Sequence, residues 1–337
     1  DKVMTNQKFS ELFGIKRKEE NEEMKQIHFD IGASAQKVLE DVLLKMVEYL
    51  YKKTKSKNLC LGGGVALNGV ANYRILEESS FENIHIPPSP GDAGSAIGAA
   101  QYLYFSYHKQ NRKVVTNTTK RIIENVYVGP SYSSNDIKKF LDGKNVKYEI
   151  FDDEQLVKNC AKLIAEGNVV GWYQGKMEWG PRALGNRSIL ADPRRKEMKD
   201  ILNKKIKHRE SFRPFAPSIL EEHVSKYFDM DIPSPYMLFV SPVKKPEKIP
   251  AVTHVDGTGR LQTVSKKTNL LYYDLINEFY RITGVPVIIN TSMNVMGEPI
   301  VNTPENAFKM LTTTEMDNIV LGNFLISRHT KSASFEK

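Results

Sequence analysis

Gly171-Trp172-Tyr173-Gln174-Gly175-Lys176-Met177-Glu178-Trp179-Gly180-Pro181-Arg182-Ala183-Leu184-Gly185-Asn186-Arg187-Ser188 is the most unusual stretch of this chain. It opens as a short strand and runs into a loop dense with glycine. Glycines let a backbone approach a ligand closely, and arginine forks match phosphate or carboxylate oxygens in pairs. Lys176, Glu178, Arg182 and Arg187 supply charge here, with Trp172, Tyr173, Met177 and Trp179 between them. Such mixing suits a pocket wall. The alternative is a solvated loop whose cations pair with Glu178 and Asp192.

Downstream, Lys207-His208-Arg209-Glu210-Ser211-Phe212-Arg213-Pro214-Phe215-Ala216-Pro217 follows a helix expected over about 197–206. Arg213 sits between Phe212 and Phe215, which should hold its stem by packing. Lys204 and Lys205 read as solvated helix charges. Thr253-His254-Val255-Asp256-Gly257-Thr258-Gly259-Arg260 is compact and polar; a ligand loop and a surface turn are both open for it. Val285–Ile289 reads as a buried strand, followed by Asn290-Thr291-Ser292-Met293-Asn294-Val295-Met296-Gly297-Glu298-Pro299. Ligands of α/β sheets gather at the C-terminal ends of strands.

Upstream, the apolar residues Val38, Leu39, Val42, Leu43, Met46, Val47 and Leu50 have helical spacing. A short strand, Asn58–Leu61, enters Gly62-Gly63-Gly64, and a helix is expected from Val65 to Leu76. Such a turn can cradle an anion or simply be tight. A second strand, Ile84–Ile86, leads to Pro90-Gly91-Asp92-Ala93-Gly94 and a helix to about Tyr107; Asp92 by type suits a helix cap. Residues 1–27 read as a polar lead-in and 109–125 as a domain boundary. Val126–Pro130 reads as the next strand. The pattern is two α/β or α+β domains.

Composition narrows the partners. The formal net charge is +8, and twelve Lys/Arg face five Asp/Glu between Gly171 and Pro217, so one segment carries most of it. Focused charge suits a small anion better than a nucleic-acid backbone. Cys60 and Cys160 both lie in apolar stretches and read as buried free thiols, which fits a reducing cytoplasm. No run of about 18 apolar residues spans a membrane. The seven histidines are scattered. Without Walker, Rossmann, kinase or GxSxG motifs, these residues alone describe an α/β enzyme for a nucleotide and a second small phosphate.

GGGVALN, PGDAGSAIGAA, GWYQGKMEWGPRALGNRSILADPR, SFRPFAP, HVDGTGR and INTSMNVMGEP occur in that order. The set, from about Ile31 to Arg328, resembles the carbamoyltransferase family of nodulation protein U and antibiotic O-carbamoyltransferases. The resemblance implies the second half of an actin-like (ASKHA-type) domain over 1–115, a linker at 116–124 and a YrdC-like α/β domain over 125–337. It implies that carbamoyl phosphate and ATP with Mg²⁺ form carbamoyladenylate, and that the carbamoyl group then passes to a hydroxyl of a small acceptor. Arg182, Lys207, Arg213 and Arg260 would be catalytic. Lys176, Arg187, His254, Asp256, Thr258, Asn290, Thr291, Ser292 and Asn294 would bind the two substrates. Gly63, Gly64 and Asn68 would face the adenylate in the first domain, and Asp92 would ligate a divalent, iron-type metal.

Family members carry a preceding half-domain with histidine ligands, so weak or no transfer is expected of this chain alone. A cytoplasmic protein without membrane contact is expected, with nucleic acid disfavoured and a homodimer the commonest assembly. The rival readings are a threonylcarbamoyl-type tRNA-modifying enzyme and an RNA-binding module using the basic segment 194–213.

Overall fold

The computed structural model describes residues 5–19, 22–111 and 125–328. The first section runs α1 (Gln7–Phe13), α2 (Gln26–Thr54), β1 (Asn58–Cys60), α3 (Gly69–Glu78), β2 (Asn83–His85) and α4 (Ser95–Gln101). The second runs α5 (Ser134–Gly143), β3 (Glu149–Ile150), α6 (Asp153–Ala165), β4 (Val170–Tyr173), β5 (Arg187–Ala191), α7 (Met198–Ile201), β6 (Ala216–Leu220) and α8 (Val224–Tyr227). It continues with β7 (Val240–Pro242), β8 (Thr258–Arg260), β9 (Gln262–Val264), α9 (Leu270–Thr283), β10 (Val287–Ser292), α10 (Pro304–Thr313), β11 (Asn318–Leu321) and β12 (Phe324–Ser327).

An eight-stranded mixed sheet in the order β3-β12-β11-β4-β5-β10-β6-β9 organises the second section. Its inner strands are apolar on both faces: β4, β5, β6 and β11 are buried throughout. Both faces must then be covered, as the near-continuous Val/Ile/Leu runs require. Helices α6 and α9 pack on each other and against β4, β5, β6 and β10, while α10 lies on β11 and β4. Helix α9 shows why this works locally. Asn269 caps it, Tyr272, Tyr273, Leu275, Ile276 and Phe279 form its buried stripe, and Gly284 ends it in a left-handed conformation.

The first section is thinner. Strands β1 and β2 pair in parallel, and α2 packs on α3 around Val47, Leu59, Ile75 and Phe81. It meets the second section through Asn72, whose Nδ2 donates to the Leu238 carbonyl at 2.8 Å, and Tyr73, whose hydroxyl donates to the Asp229 carbonyl at 2.8 Å.

Several local expectations change. The lead-in contains α1, started by an Asn6 cap and stopped by Gly14 at positive φ. The helix expected up to Tyr107 is a 3₁₀ turn at Asp92–Gly94, then α4, then a π-helical turn over Tyr102–Tyr107. Val126–Pro130 makes an isolated bridge, Tyr127 to Glu178, and is tied to that loop by backbone hydrogen bonds at Val126, Gly129 and Pro130 rather than joining the large sheet. The helix expected over about 197–206 is α7 followed by a π-helical turn, Leu202–Lys207. Cys60 is exposed and only Cys160 is buried, because the outer side of the small β1–β2 sheet is uncovered. The expected linker 116–124 lies outside the described residues. Among the described residues no helix is long and apolar enough to cross a membrane.

Candidate active site

Antiparallel pairing of β10 with β5 sets Ser292 opposite Ser188, and pairing of β4 with β5 sets Tyr173 opposite Arg187. The loop after β4, the start of β5 and the end of β10 therefore lie at the same end of these inner strands. Strand β10 extends to Ser292, so Asn290 and Thr291 lie within the strand rather than after it. Pro286, which lacks a ladder donor, stands just before it.

Glu178 builds the loop. Its Oε1 accepts from the backbone N–H groups of Leu184 at 2.8 Å, Asn186 at 2.6 Å and Arg187 at 3.1 Å. Burial still pushes its carboxyl upward, against those hydrogen bonds. Gly185 is required: its φ is +109°, and a Cβ there would lie 2.3 Å from the Tyr272 ring. Gly180 comes close to the Pro88 carbonyl, where a Cβ would meet it at 3.0 Å. From the sheet side, Asn290 Nδ2 donates to the Ala183 carbonyl at 3.2 Å and Gln262 Nε2 to the Leu184 carbonyl at 2.9 Å. The segment around Arg182 is thus fixed at both flanks.

Arg182 and Arg260 each have a buried Nε without a hydrogen-bond partner, and neither has a carboxylate within ion-pair distance among the described residues. Burial lowers the proton affinity of both, and the charges of Arg182 and Arg209 add to the effect on Arg260. A guanidinium stays charged in proteins, so this pressure measures unpaid desolvation and repulsion. Lys207 is buried, with Nζ donating to the Ser292 carbonyl, to Asn294 Oδ1 at 2.8 Å and to the Asn294 carbonyl at 3.0 Å. Burial, with help from the Arg209 charge, brings it down to about 7. Ser292 Oγ donates to Asn294 Oδ1 at 2.6 Å, which completes that cradle. Asn290 Oδ1 is buried with no partner.

Three other expected residues hold one another. His254 Nδ1 lies 3.0 Å from Thr258 Oγ1, and Asp256 Oδ1 accepts from the Thr258 hydroxyl at 2.7 Å and its N–H at 3.1 Å. They form the turn that leads into β8 and Arg260. Burial, chiefly, lowers the His254 imidazole.

Some expectations are redirected by the geometry. Arg187 is fully buried, lies 3.7 Å over the Tyr173 ring, and donates to the carbonyls of Gln174, Asn186, Pro130 and Gly175. These bonds brace the loop from within, and the Arg187 Nε is buried with no hydrogen-bond partner among the described residues. Lys176 is exposed on the turn and Thr291 is half-buried in β10. Arg213 is exposed and pairs with Glu210 at 3.0 Å; the cation over Phe215 is Arg209, at 4.9 Å. In the first section Gly63 has φ +95° and its N–H donates to the Pro90 carbonyl at 2.7 Å, while Gly64 is exposed. Asn68 caps α3 and exchanges hydrogen bonds with Gln36 at 2.8 and 3.1 Å. Its polar atoms serve the fold. Asp92 is exposed, and no group of three or more His, Cys, Asp or Glu gathers among the described residues. The described residues therefore do not fit a metal at Asp92.

Glu178, Gln262, Asn203 and Arg209 were not anticipated from sequence. A lone acid in a basic loop reads as a charge partner, and only the fold shows that Glu178 binds backbone. A groove of about 540 Å³ between α6 and α9 is lined by the acids Asp153, Glu154, Asp274 and Glu278 and the cations Lys158 and Arg281, an acidic excess that does not favour an anion.

The carbamoyltransferase C-terminus family model matches residues 161–328, and the carbamoyltransferase N-terminus model matches residues 1–101. An uncharacterised protein of Synechocystis sp. is 46% identical over 97% of this chain and 56% of its own length. Nodulation protein NolNO of Sinorhizobium fredii is 40% identical over 91% of this chain and 45% of its own length. Nodulation protein U of the same species is 37% identical over 72% of this chain and 40% of its own length. The chain thus spans about half the length of the curated relatives it matches. Among solved structures, full-length HypF in its phosphate- and nucleotide-bound form overlaps 54% of this chain and 23% of its own, at 22% identity and a TM-score of 0.36.

Proposed function

Because this chain belongs to the carbamoyltransferase family, we propose that its sheet section, as a YrdC-like domain, carries the activating half of an O-carbamoyl transfer. Carbamoyl phosphate and ATP bind where the start of β5 meets the end of β10. Water cleaves carbamoyl phosphate to carbamate and inorganic phosphate; a carbamate oxygen then attacks the ATP α-phosphorus, and pyrophosphate leaves. The product, carbamoyladenylate, passes to the first section, read as part of an actin-like domain, for transfer to a small hydroxyl-bearing acceptor.

The observation that carries this reading is the set of buried or half-buried cations, Arg182, Lys207 and Arg260, without carboxylate partners among the described residues. Two anions repel each other, and fixed cations in a site of low dielectric offset that repulsion as charge moves to the leaving group. Arg182 and Arg260 would hold phosphoryl oxygens. Lys207 sits against β10 with Ser292 and Asn294, where it would orient one substrate. Mg²⁺ enters with ATP as part of the substrate. No step is routed through a metal at Asp92, because the described residues gather no ligand set there.

The basic-segment alternative loses support in the fold. Arg194 pairs with Asp192 at 2.6 Å, Arg195 with Glu197 at 2.9 Å and Lys205 with Glu315 at 2.8 Å. Those three cations are paired locally, while Lys196, Lys199 and Lys204 have no ion pair among the described residues; a nucleic-acid face needs its cations free for phosphates. The test is pyrophosphate release from ATP by this chain, with and without carbamoyl phosphate. Release that requires carbamoyl phosphate and falls about 10²–10³-fold in Arg182→Ala supports the reading. Release indifferent to carbamoyl phosphate overturns it.

A further inference from the structure

Val126–Pro130 is the strap by which the chain, coming from the first section, enters the sheet section, and the proposed chemistry gives it no task. It runs along the outer limb of the loop that carries Arg182. The Trp179 N–H donates to the Val126 carbonyl at 2.7 Å, the Gly129 N–H to the Met177 carbonyl at 3.0 Å and the Met177 N–H to the Pro130 carbonyl at 2.9 Å. The approach is so close that a Cβ on Gly129 would lie 2.9 Å from the Met177 carbonyl oxygen.

Tyr127 crosses from this strap to the inner limb of the same loop. Its hydroxyl donates to the Leu184 carbonyl at 2.8 Å, and Val126 packs with Leu184, Ala216 and Met237 in a small apolar cluster. Burial, with the Glu178 carboxylate nearby, pushes the Tyr127 phenol up, so it keeps its proton and remains a donor. The Leu184 carbonyl also accepts from Gln262 Nε2, and the Leu184 N–H donates to Glu178 Oε1. Only Ala183 separates Leu184 from Arg182, whose Nε is buried without a hydrogen-bond partner among the described residues. An arginine with no acid to hold its fork takes its position from its backbone, so the bonds on Leu184 decide where Arg182 stands. A strap that merely covered the loop would be served by its pairing with Met177 and Trp179. Tyr127 instead reaches past that limb and spends a buried hydroxyl on the opposite one.

We propose that Tyr127 is a positioning residue for Arg182, and that the strap entering the sheet section thereby sets the phosphoanion affinity of the site. The inference rests on the phosphoanion reading of that site.

Isothermal titration of this chain with inorganic pyrophosphate tests it, over a concentration range wide enough to saturate weakened variants. Tyr127→Phe is made alone and together with Arg182→Ala or Arg260→Ala, since a double-mutant cycle separates action through one residue from a general loss. Tyr73→Phe is the control: it too loses one hydroxyl-to-carbonyl bond of 2.8 Å, but outside the loop. Tyr127→Phe alone is expected to weaken binding about three- to tenfold, the scale of one neutral hydrogen bond. The same cost should persist beside Arg260→Ala and vanish beside Arg182→Ala. If Arg182→Ala loses binding while Tyr127→Phe keeps it, the inference fails and the site reading stands. A cost equal in all three backgrounds, or one matched by Tyr73→Phe, makes Tyr127 a general structural residue and overturns the proposal. If the unmodified chain does not bind pyrophosphate, or if Arg182→Ala binds it as the unmodified chain does, the site reading itself fails.

Discussion

The two sections of this chain treat their apolar residues in opposite ways. In the sheet section, Trp172, Ile189, Leu190, Ile219, Ile288 and Phe279 are sealed between helices and strands. In the first section, large apolar side chains stand in solvent: Val38 is 62% exposed, Met46 62%, Tyr102 70% and Tyr107 72%. The polar groups differ in the same sense. The sheet section assembles Arg182, Lys207 and Arg260 over a fully packed floor, whereas the first section offers a glycine turn, a helix cap and the isolated Asp92. A packed floor is what permits charge to be held unpaired, because a loose site would let the cations swing out to water. The contrast is the reason for proposing the phosphoanion site at the ends of β5 and β10.

The sharpest way to break this comparison is by truncating one residue from each section. Leu190→Ala should lower stability by about 2–5 kcal/mol, while Val38→Ala should change it by less than about 0.5 kcal/mol. Urea unfolding followed by near-ultraviolet dichroism reads both. Similar losses would mean that Val38 is covered rather than exposed. Next in size is Glu178→Ala, which leaves three buried N–H groups without their acceptor. A loss of about 1–3 kcal/mol is expected, together with a fall in pyrophosphate affinity, since Arg182 rides on that loop. Unchanged affinity would separate the loop from the site.

A smaller effect is read from pH. The Lys207 ammonium has an ordinary value of 10.5 and about 7 in the fold. Between those values the unfolded chain binds more protons than the folded one, so ligand-free stability should rise as pH increases across that window. Lys207→Met should flatten the rise; an equally steep rise in the variant would contradict the assignment. Phosphoanion binding should move the other way, weakening above about pH 7 as the ammonium is lost. The mildest test concerns the thiols. Cys60 is exposed, and Cys160 is buried with its thiol pushed up to about 12. A thiol reagent should modify Cys60 rapidly in the native chain and Cys160 only after unfolding. Equal rates would contradict the open outer side of the β1–β2 sheet.

How much of this was legible in the amino-acid order follows from what each feature depends on. Helix α2, the alternation of strands and helices, and the glycine-rich loop at 171–188 depend on local spacing, and they were read as such. The extent of β10 was misjudged because Asn290, Thr291 and Ser292 have turn chemistry; their strand geometry comes from pairing with β5, which is a distant partner. Arg213 was read as packed between Phe212 and Phe215 because it is their neighbour in sequence, yet it is Arg209, beyond the left-handed corner at His208, that lies over the Phe215 ring. The charge of Arg187 is visible in the sequence, whereas its full burial is not. Cys60 looked buried because its neighbours Leu59 and Leu61 are apolar, while a strand in a two-stranded sheet can leave one side open. In each case the missing information was tertiary.

Isothermal titration of the ligand-free chain with inorganic pyrophosphate at low salt, in parallel for Arg260→Ala and Arg194→Ala, tests the central claim most directly. Both variants remove one arginine, but Arg194 is bonded to Asp192 and Arg260 has no carboxylate partner within ion-pair distance. If the ends of β5 and β10 form a phosphoanion site, binding falls by at least about tenfold in Arg260→Ala and stays unchanged in Arg194→Ala. Equal, small losses in the two variants would mean that pyrophosphate senses only net charge, and would contradict the site.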